Sequence, residues 1–470
     1  MGIAATNQPL SAAPPLKGAV DRRRLSQLMD REIERFRSEN PKSQELFESA
    51  EGSLVGGVPM QWMIEWPGSF PLFVRQAKGV TVTDVDGHDY LDFCLGDTGA
   101  MFGHSPDPVA KAVVDQASRG LTFMMPTEDA AWIGKDLSRR FGLPFWQFAM
   151  TATDANRFAL RLARDITGRP KVLVFEGCYH GTVDETIATV ENGKVVSRGG
   201  NVGPPSDLAE TTRVVEFNDL DGLAAELAKG DVACVLTEPA LTNHSGIVLP
   251  DPGFHEALRA LTKKHDVLLI IDETHTISSG PGGYTAAHGL EPDMLTIGKP
   301  LAGGIPVAVY GFTADIAAKI KARTIGPGTS IAGIGGTLTA NALALGAMRA
   351  ALEYVITEQA FAHMIPLAER LAGGVEGVIR EYDLDWYVTR IGARVEYRFQ
   401  PTAPKNGSEA LLGKDGELDR FIHLYFLNRG ILVTPMHNML LTSPKTTAEH
   451  VDRHTTVFNE CVGELLNASP

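Results

Sequence analysis

The sequence predicts an α/β fold: a mostly parallel sheet covered by helices forms a large domain, and a smaller α+β domain is built from both chain ends. Three observations carry this expectation. From Gly96 onward, short apolar runs alternate with helix-length amphipathic segments, the pattern of strands joined by crossover helices. Around residues 326–336 the glycine content rises and the alternation stops, which marks a boundary. The 470 residues are too many for one small core and suit two domains of one subunit. The expected division is 1–95 for the first part of the small domain, 96–330 for the large domain and 331–470 for the rest of the small domain.

Taken in order, residues 1–20 lack periodicity and read as a mobile arm. Residues 21–40 read as a charged helix with Leu25, Met29, Ile33 and Phe36 on one stripe, ended by Asn40-Pro41. After an irregular stretch through Trp62 and Trp66, segments 71–74, 80–84 and 89–93 read as short strands. Asp86-Gly87 supplies a hairpin turn between the last two. The large domain offers helices at 107–118, 129–141, 154–167 and 253–265, and strands at 147–150, 171–175, 232–237, 267–271, 294–297 and 307–312. Beyond the boundary, 337–355 reads as an Ala/Leu-rich helix, 419–428 as a helix and 431–434 as extended.

Composition excludes several function classes. A net charge of −14 argues against nucleic acid or an anionic membrane as main partner. No apolar run approaches the roughly 20 residues of a membrane span. Hydrophobic residues at 44% and charged residues at 21% indicate a soluble globular chain. Cys94, Cys178, Cys234 and Cys461 lie far apart, so neither a disulfide framework nor a zinc site is expected. With no signal peptide apparent, a cytoplasmic location is the default expectation.

The chemistry centres on residues 267–304. Asp272 ends one apolar run and Lys299 follows another, 27 residues apart in sequence. That separation leaves room for one crossover between neighbouring strands. An amine and a carboxylate brought together at strand ends suit pyridoxal phosphate, which needs an amine for a Schiff base and an anion at its ring nitrogen. Taken alone, Lys299 would be a surface lysine and Asp272 a helix N-cap. The context T-I-G-K-P-L-A-G-G around Lys299 and the D-E pair at Asp272 favour the functional reading. No G-x-G-x-x-G follows an early strand, so a dinucleotide-dependent oxidoreductase lacks its fingerprint.

In these motifs the chain resembles the class III aminotransferases of fold type I, in particular the glutamate-1-semialdehyde aminomutase-like branch, near the β-amino-acid and amine transaminases. The resemblance runs from about Asn40 to the last helix. It implies that Lys299 carries pyridoxal 5'-phosphate and shuttles protons, and that Asp272 pairs with the ring nitrogen. Tyr179, in the triplet Y-H-G, would stack on the ring. Thr151-Ala152-Thr153-Asp154 stands where relatives read S-G-T-E. Ala152 and Thr153 would hold phosphate at a helix start, although simple capping by Thr153 is an alternative. Thr274 would pack under the ring, and Glu238, in an E-P pair, would lie near the phenolic oxygen unless it is an exposed strand-end carboxylate. His275 is expected either to support the residues around the cofactor or to be structural, and no metal is expected. The stretch 335–341 resembles a family segment whose threonine reaches the neighbouring subunit's phosphate. This implies a homodimer, with Thr337 acting in trans or capping its helix.

Two positions bear on substrate. Where β-amino-acid aminotransferases hold a carboxylate with arginine, this chain aligns Trp62 and Met436, with His437 as the polar neighbour. Neither side chain can pair a carboxylate bidentately. The expected reaction moves an amino group from a primary amine to a keto acid in two half-reactions. The alternatives are an aminomutase of the glutamate-1-semialdehyde type and a β- or ω-amino-acid aminotransferase.

Overall fold

The structure is a computed structural model that describes residues 20–243, 246–325 and 332–466. The expected arm at 1–20 lies outside the described residues except for Val20. So do residues 326–331 of the glycine-rich boundary.

A seven-stranded sheet organises the middle of the chain. Its order is Phe145–Ala149, Ala308–Phe312, Met294–Ile297, Leu268–Asp272, Val232–Thr237, Lys171–Phe175 and Thr212–Val215. The strands from Met294–Ile297 to Thr212–Val215 run parallel, and Ala308–Phe312 is antiparallel to both its neighbours. Val232–Thr237 is buried along its whole length, as a central strand covered on both faces must be. The edge strand Thr212–Val215 was not among the expected elements. Its T-R-V-V run is too short to stand out without its partner.

Helix Ala152–Thr167 packs an Ala/Leu/Phe stripe on this sheet and ends at Gly168, in a left-handed conformation that favours glycine. Thr151, rather than Thr153, is its N-cap, accepting from the Asp154 N–H at 3.2 Å. In the same way, the helix expected at 337–355 spans Ala342–Tyr354 and is capped by Asn341, not Thr337. Helix Arg22–Glu39 does end at Asn40-Pro41, but a second helix, Pro41–Ala50, starts at once. Proline fits a first helical turn as well as it breaks an interior one.

The first expected strand is displaced from 71–74 to Val74–Lys78. There it pairs with Thr81–Asp84 through an irregularity between Val74 and Gln76. The turn at Asp86-Gly87 joins Thr81–Asp84 to Asp89–Asp92 as expected. Ile431–Leu432 then adds in parallel to Leu91–Asp92, so segments from both chain ends share one sheet. The sequence had not resolved helix Glu358–Glu381, helix Ala448–Leu466 or the sheet of Tyr387–Ile391, Arg394–Arg398 and Met439–Leu441. Pro366 and three glycines inside the first of these helices lower its propensity, and tertiary packing overrides it. Gly374, for example, lets Thr455 of the last helix approach where a side chain would collide.

Candidate active site

The parallel strands all end at one rim of the sheet, the usual place for a site in an open α/β fold. Glu238 follows Val232–Thr237, Asp272 closes Leu268–Asp272, Lys299 follows Met294–Ile297, and Tyr179 lies in the loop after Lys171–Phe175. Lys299 and Asp272 line one cavity of about 470 Å³. Ala152, Thr153, Tyr179, Glu238, Thr274 and Trp62 line it too.

Asp272 is buried and well supplied with donors. Its Oδ2 accepts from Asn156 Nδ2 at 2.8 Å and pairs with His180 Nδ1 at 2.9 Å. Its Oδ1 accepts from the Thr274 N–H at 3.1 Å. Burial by itself would raise this carboxyl's pKa. The hydrogen bond and charge of His180 outweigh burial, with help from Thr274 and Asn156, and bring it down to about 2. Asp272 therefore stays ionised across the neutral range. No regular helix follows it, so it does not cap one.

Lys299 sits at φ +51°, a left-handed backbone uncommon for a non-glycine residue. Its Nζ lies 2.7 Å from Asp97 Oδ2 and 2.7 Å from His275 Nε2. Asp97 is itself in a loop where Leu95, Asp97 and Thr98 all have positive φ. Burial would raise the Asp97 pKa, but the Lys299 charge, then His275 and Arg394, hold it well below the usual carboxylate range. Behind Asp97 stands Arg394, fully buried, its Nη2 on Thr98 Oγ1 and its Nε and Nη1 without partners among the described residues.

At the opposite side, the first N–H groups of helix Ala152–Thr167 have no intrahelical acceptor. Gly298 and Gly181 close this turn. A β-carbon at Gly298 would lie 3.0 Å from Ala152 Cβ, and one at Gly181 would overlap Thr153 Oγ1. The Tyr179 ring lies 5.9 Å from the Trp62 ring, tilted by 58°.

Not every expected residue reaches the cavity. Thr337 is exposed and does not line it. Met436 and His437 are not among its lining residues either. Pairing of Met439–Leu441 with Arg394–Arg398 draws that loop inward, and His437 Nδ1 meets buried Glu396 at 2.9 Å. Glu238 is 2% exposed, so it is not a surface carboxylate. Asp97, Asn156 and Arg394 are site groups the sequence did not reveal. Only Asn156 left a signal, as a polar residue on the buried stripe of its helix.

A lysine amine, a buried carboxylate held ionised, an aromatic ring and a helix start with free N–H groups fit pyridoxal phosphate in chemistry and in volume. The fold and this donor set define a pyridoxal phosphate-dependent enzyme of fold type I. The chain belongs to the class-III aminotransferase family, whose model matches residues 64–462. It is similar to a glutamate-1-semialdehyde 2,1-aminomutase of Persephonella marina, at 31% identity over 90% of this chain and 99% of that protein. A crystal structure described as a glutamate-1-semialdehyde aminomutase from Pseudomonas aeruginosa PAO1 superposes with a TM-score of 0.93. It has 52% identity over 95% of this chain and 99% of that one, and a variant of it was solved with PMP. A β-phenylalanine aminotransferase from Variovorax paradoxus gives a TM-score of 0.83 at 25% identity, over 93% of this chain and 97% of that one.

Proposed function

We propose that this transaminase moves an amino group from a primary amine with an apolar or aromatic body to a keto acid. The observation that carries the reading is the cavity wall. Met60, Trp62, Tyr179 and Met150 face it, and among the described lining residues none is an arginine. A carboxylate on the donor would find no guanidinium fork there.

Pyridoxal phosphate supplies the electron sink that makes a proton on the amine-bearing carbon labile. In this reading Lys299 attaches the cofactor and its Nζ moves that proton. Asp272 keeps a proton on the ring nitrogen by staying ionised beside it. Ala152 and Thr153 would hold the phosphate, Tyr179 and Thr274 would hold the ring, and Glu238 would serve its phenolic oxygen; all five line the cavity. Thr337, exposed in one subunit, completes the phosphate seat of a second, so the active form is a homodimer. The division into 1–95, 96–330 and 331–470 belongs to the same reading. None of the described helices is long and apolar enough to cross a membrane.

The 52% identity to the Pseudomonas aeruginosa protein favours a second reading, an aminomutase acting on glutamate-1-semialdehyde. A panel of amines and amino acids with pyruvate or 2-oxoglutarate, read by keto-product release, separates the two. Turnover of uncharged amines with release of a carbonyl product supports the transaminase. Strong preference for β- or ω-amino acids, or isomerisation of the semialdehyde without an acceptor, sinks the amine assignment.

A further inference from the structure

We propose that His275, Thr242 and Glu238 form an internal relay that takes a proton from Lys299 and holds it inside the protein while the amine reacts. The proposal rests on the reading of Lys299 as the lysine that attaches the cofactor. Neither Thr242 nor a chemical role for His275 figures in that reading.

Lys299 Nζ and His275 Nε2 lie 2.7 Å apart. An ammonium has donors only, so the ring nitrogen accepts while Lys299 is charged. A neutral ring then carries its proton on Nδ1, which meets Thr242 Oγ1 at 3.0 Å. Thr242 passes its own hydroxyl hydrogen on to Glu238 Oε2. Asn243 Nδ2 approaches the other oxygen, Oε1, at 3.4 Å. Every bond in the chain points the same way, from ammonium to carboxylate. The direct separation of His275 Nδ1 from Glu238 Oε2 is 3.4 Å, so the hydroxyl bridges them by a shorter path. Thr242 is fully buried and Glu238 nearly so. Burial, reinforced by the Lys299 charge, lowers the His275 pKa and keeps the ring neutral, as a relay requires.

The transfer balances. The Nζ–H bond breaks as an Nε2–H bond forms. The Nδ1 proton moves to Thr242 Oγ1, and the Thr242 proton moves to Glu238 Oε2. Ammonium and carboxylate become amine and carboxylic acid, while ring and hydroxyl end as neutral as they began. The other charged groups acting on the ring are Asp97 and Arg394. Asp97, also 2.7 Å from Nζ, competes by holding the ammonium. The relay is the route by which the amine becomes free without waiting for a base from solvent.

The test uses the full chain stripped of cofactor. It reads how fast added pyridoxal phosphate becomes fixed to Lys299 by borohydride, across neutral and alkaline pH. Thr242→Val keeps the branched shape and cuts the relay in the middle. Its fixation rate at neutral pH is expected to fall about a hundredfold, the low end of what general-base assistance contributes, with the pH profile displaced to the alkaline side. Thr242→Ser should restore both, and Glu238→Gln should reproduce the valine variant. A Thr242→Val profile that matches wild type overturns the relay, and so does a serine variant as slow as the valine one. If the valine variant fails to melt as a folded protein, Glu238→Gln carries the same comparison, and an unchanged profile there is equally decisive. A wild-type chain that takes no label on Lys299 overturns the attachment reading and the relay with it. Normal labelling beside an unchanged valine variant overturns the relay alone.

Discussion

Gly181→Ala is expected to weaken pyridoxal phosphate binding by at least tenfold. Gly181 has φ +81°, where a β-carbon costs about 1–2 kcal/mol. The added carbon would overlap Thr153 Oγ1 and sit 2.9 Å from Thr153 Cα. Rotating the threonine relieves only the first contact. The second requires the start of helix Ala152–Thr167 to move, and overpacking of this kind costs about 1–3 kcal/mol. The Thr182 N–H would also lose Thr153 Oγ1, its acceptor at 3.1 Å, for about 0.5–1.5 kcal/mol more. The lower bounds sum to about 2.5 kcal/mol, and about 1.4 kcal/mol reaching the phosphate seat gives the tenfold loss. The assay is equilibrium titration of cofactor into the stripped protein. Gly168→Ala is the control, since Gly168 is left-handed at the other end of the same helix with nothing within 4 Å of a new carbon. It should cost about 1–2 kcal/mol of stability and leave cofactor affinity alone. Affinity within twofold of wild type in Gly181→Ala, or an equal loss in Gly168→Ala, refutes the reasoning.

Lys299→Ala should abolish turnover and leave no cofactor attached after borohydride treatment and denaturation; normal activity would remove the centre of the proposed function. Trp62→Ala should raise KM for an aromatic amine about two- to tenfold, the worth of one aromatic contact, while KM for a small aliphatic amine stays put. Equal changes for both donors would show that Trp62 does not touch the substrate. His454 is fully buried, 4.9 Å from the Phe426 ring, with neither ring nitrogen partnered among the described residues. Burial depresses its pKa to about 3. Only the unfolded chain gains this proton below pH 6.5, so stability present above that pH is lost as pH falls toward 3. At pH 5 the loss is about 2 kcal/mol, from about 1.36 kcal/mol per unit. Denaturant unfolding at pH 7.5 and 5 should show His454→Phe losing about that much less than wild type on acidification, and identical slopes would contradict the assignment.

Much of the fold was legible because buried parallel strands announce themselves. Lys171–Phe175, Val232–Thr237 and Met294–Ile297 fall where continuous apolar runs placed them. Helix bounds drifted where capping decided them, as at Thr151 and Asn341, since several residues in each turn could have served. Other elements after Tyr354 were hidden for another reason, although the helix at Gly416–Leu427 and the strand Ile431–Leu432 lie close to where they were expected. Helix Glu358–Glu381 contains a proline and three glycines, and strand Arg394–Arg398 buries two arginines and a glutamate. Neither follows local preference, and both are held by what packs against them.

The sequence determined the groups on which the proposed function rests: an amine after one strand, a carboxylate closing its neighbour, and a helix start beside them. Each of these is set by a few adjacent residues, so local pattern suffices. Only the tertiary structure decided what surrounds the amine. Asp97 is 202 positions from Lys299, His275 is 24, and both lie 2.7 Å from its Nζ. A turn aspartate and a histidine beside a strand end carry no periodic signal. Their partner is chosen by crossovers and by the strained loop at Leu95–Thr98, and those depend on the whole chain folding at once.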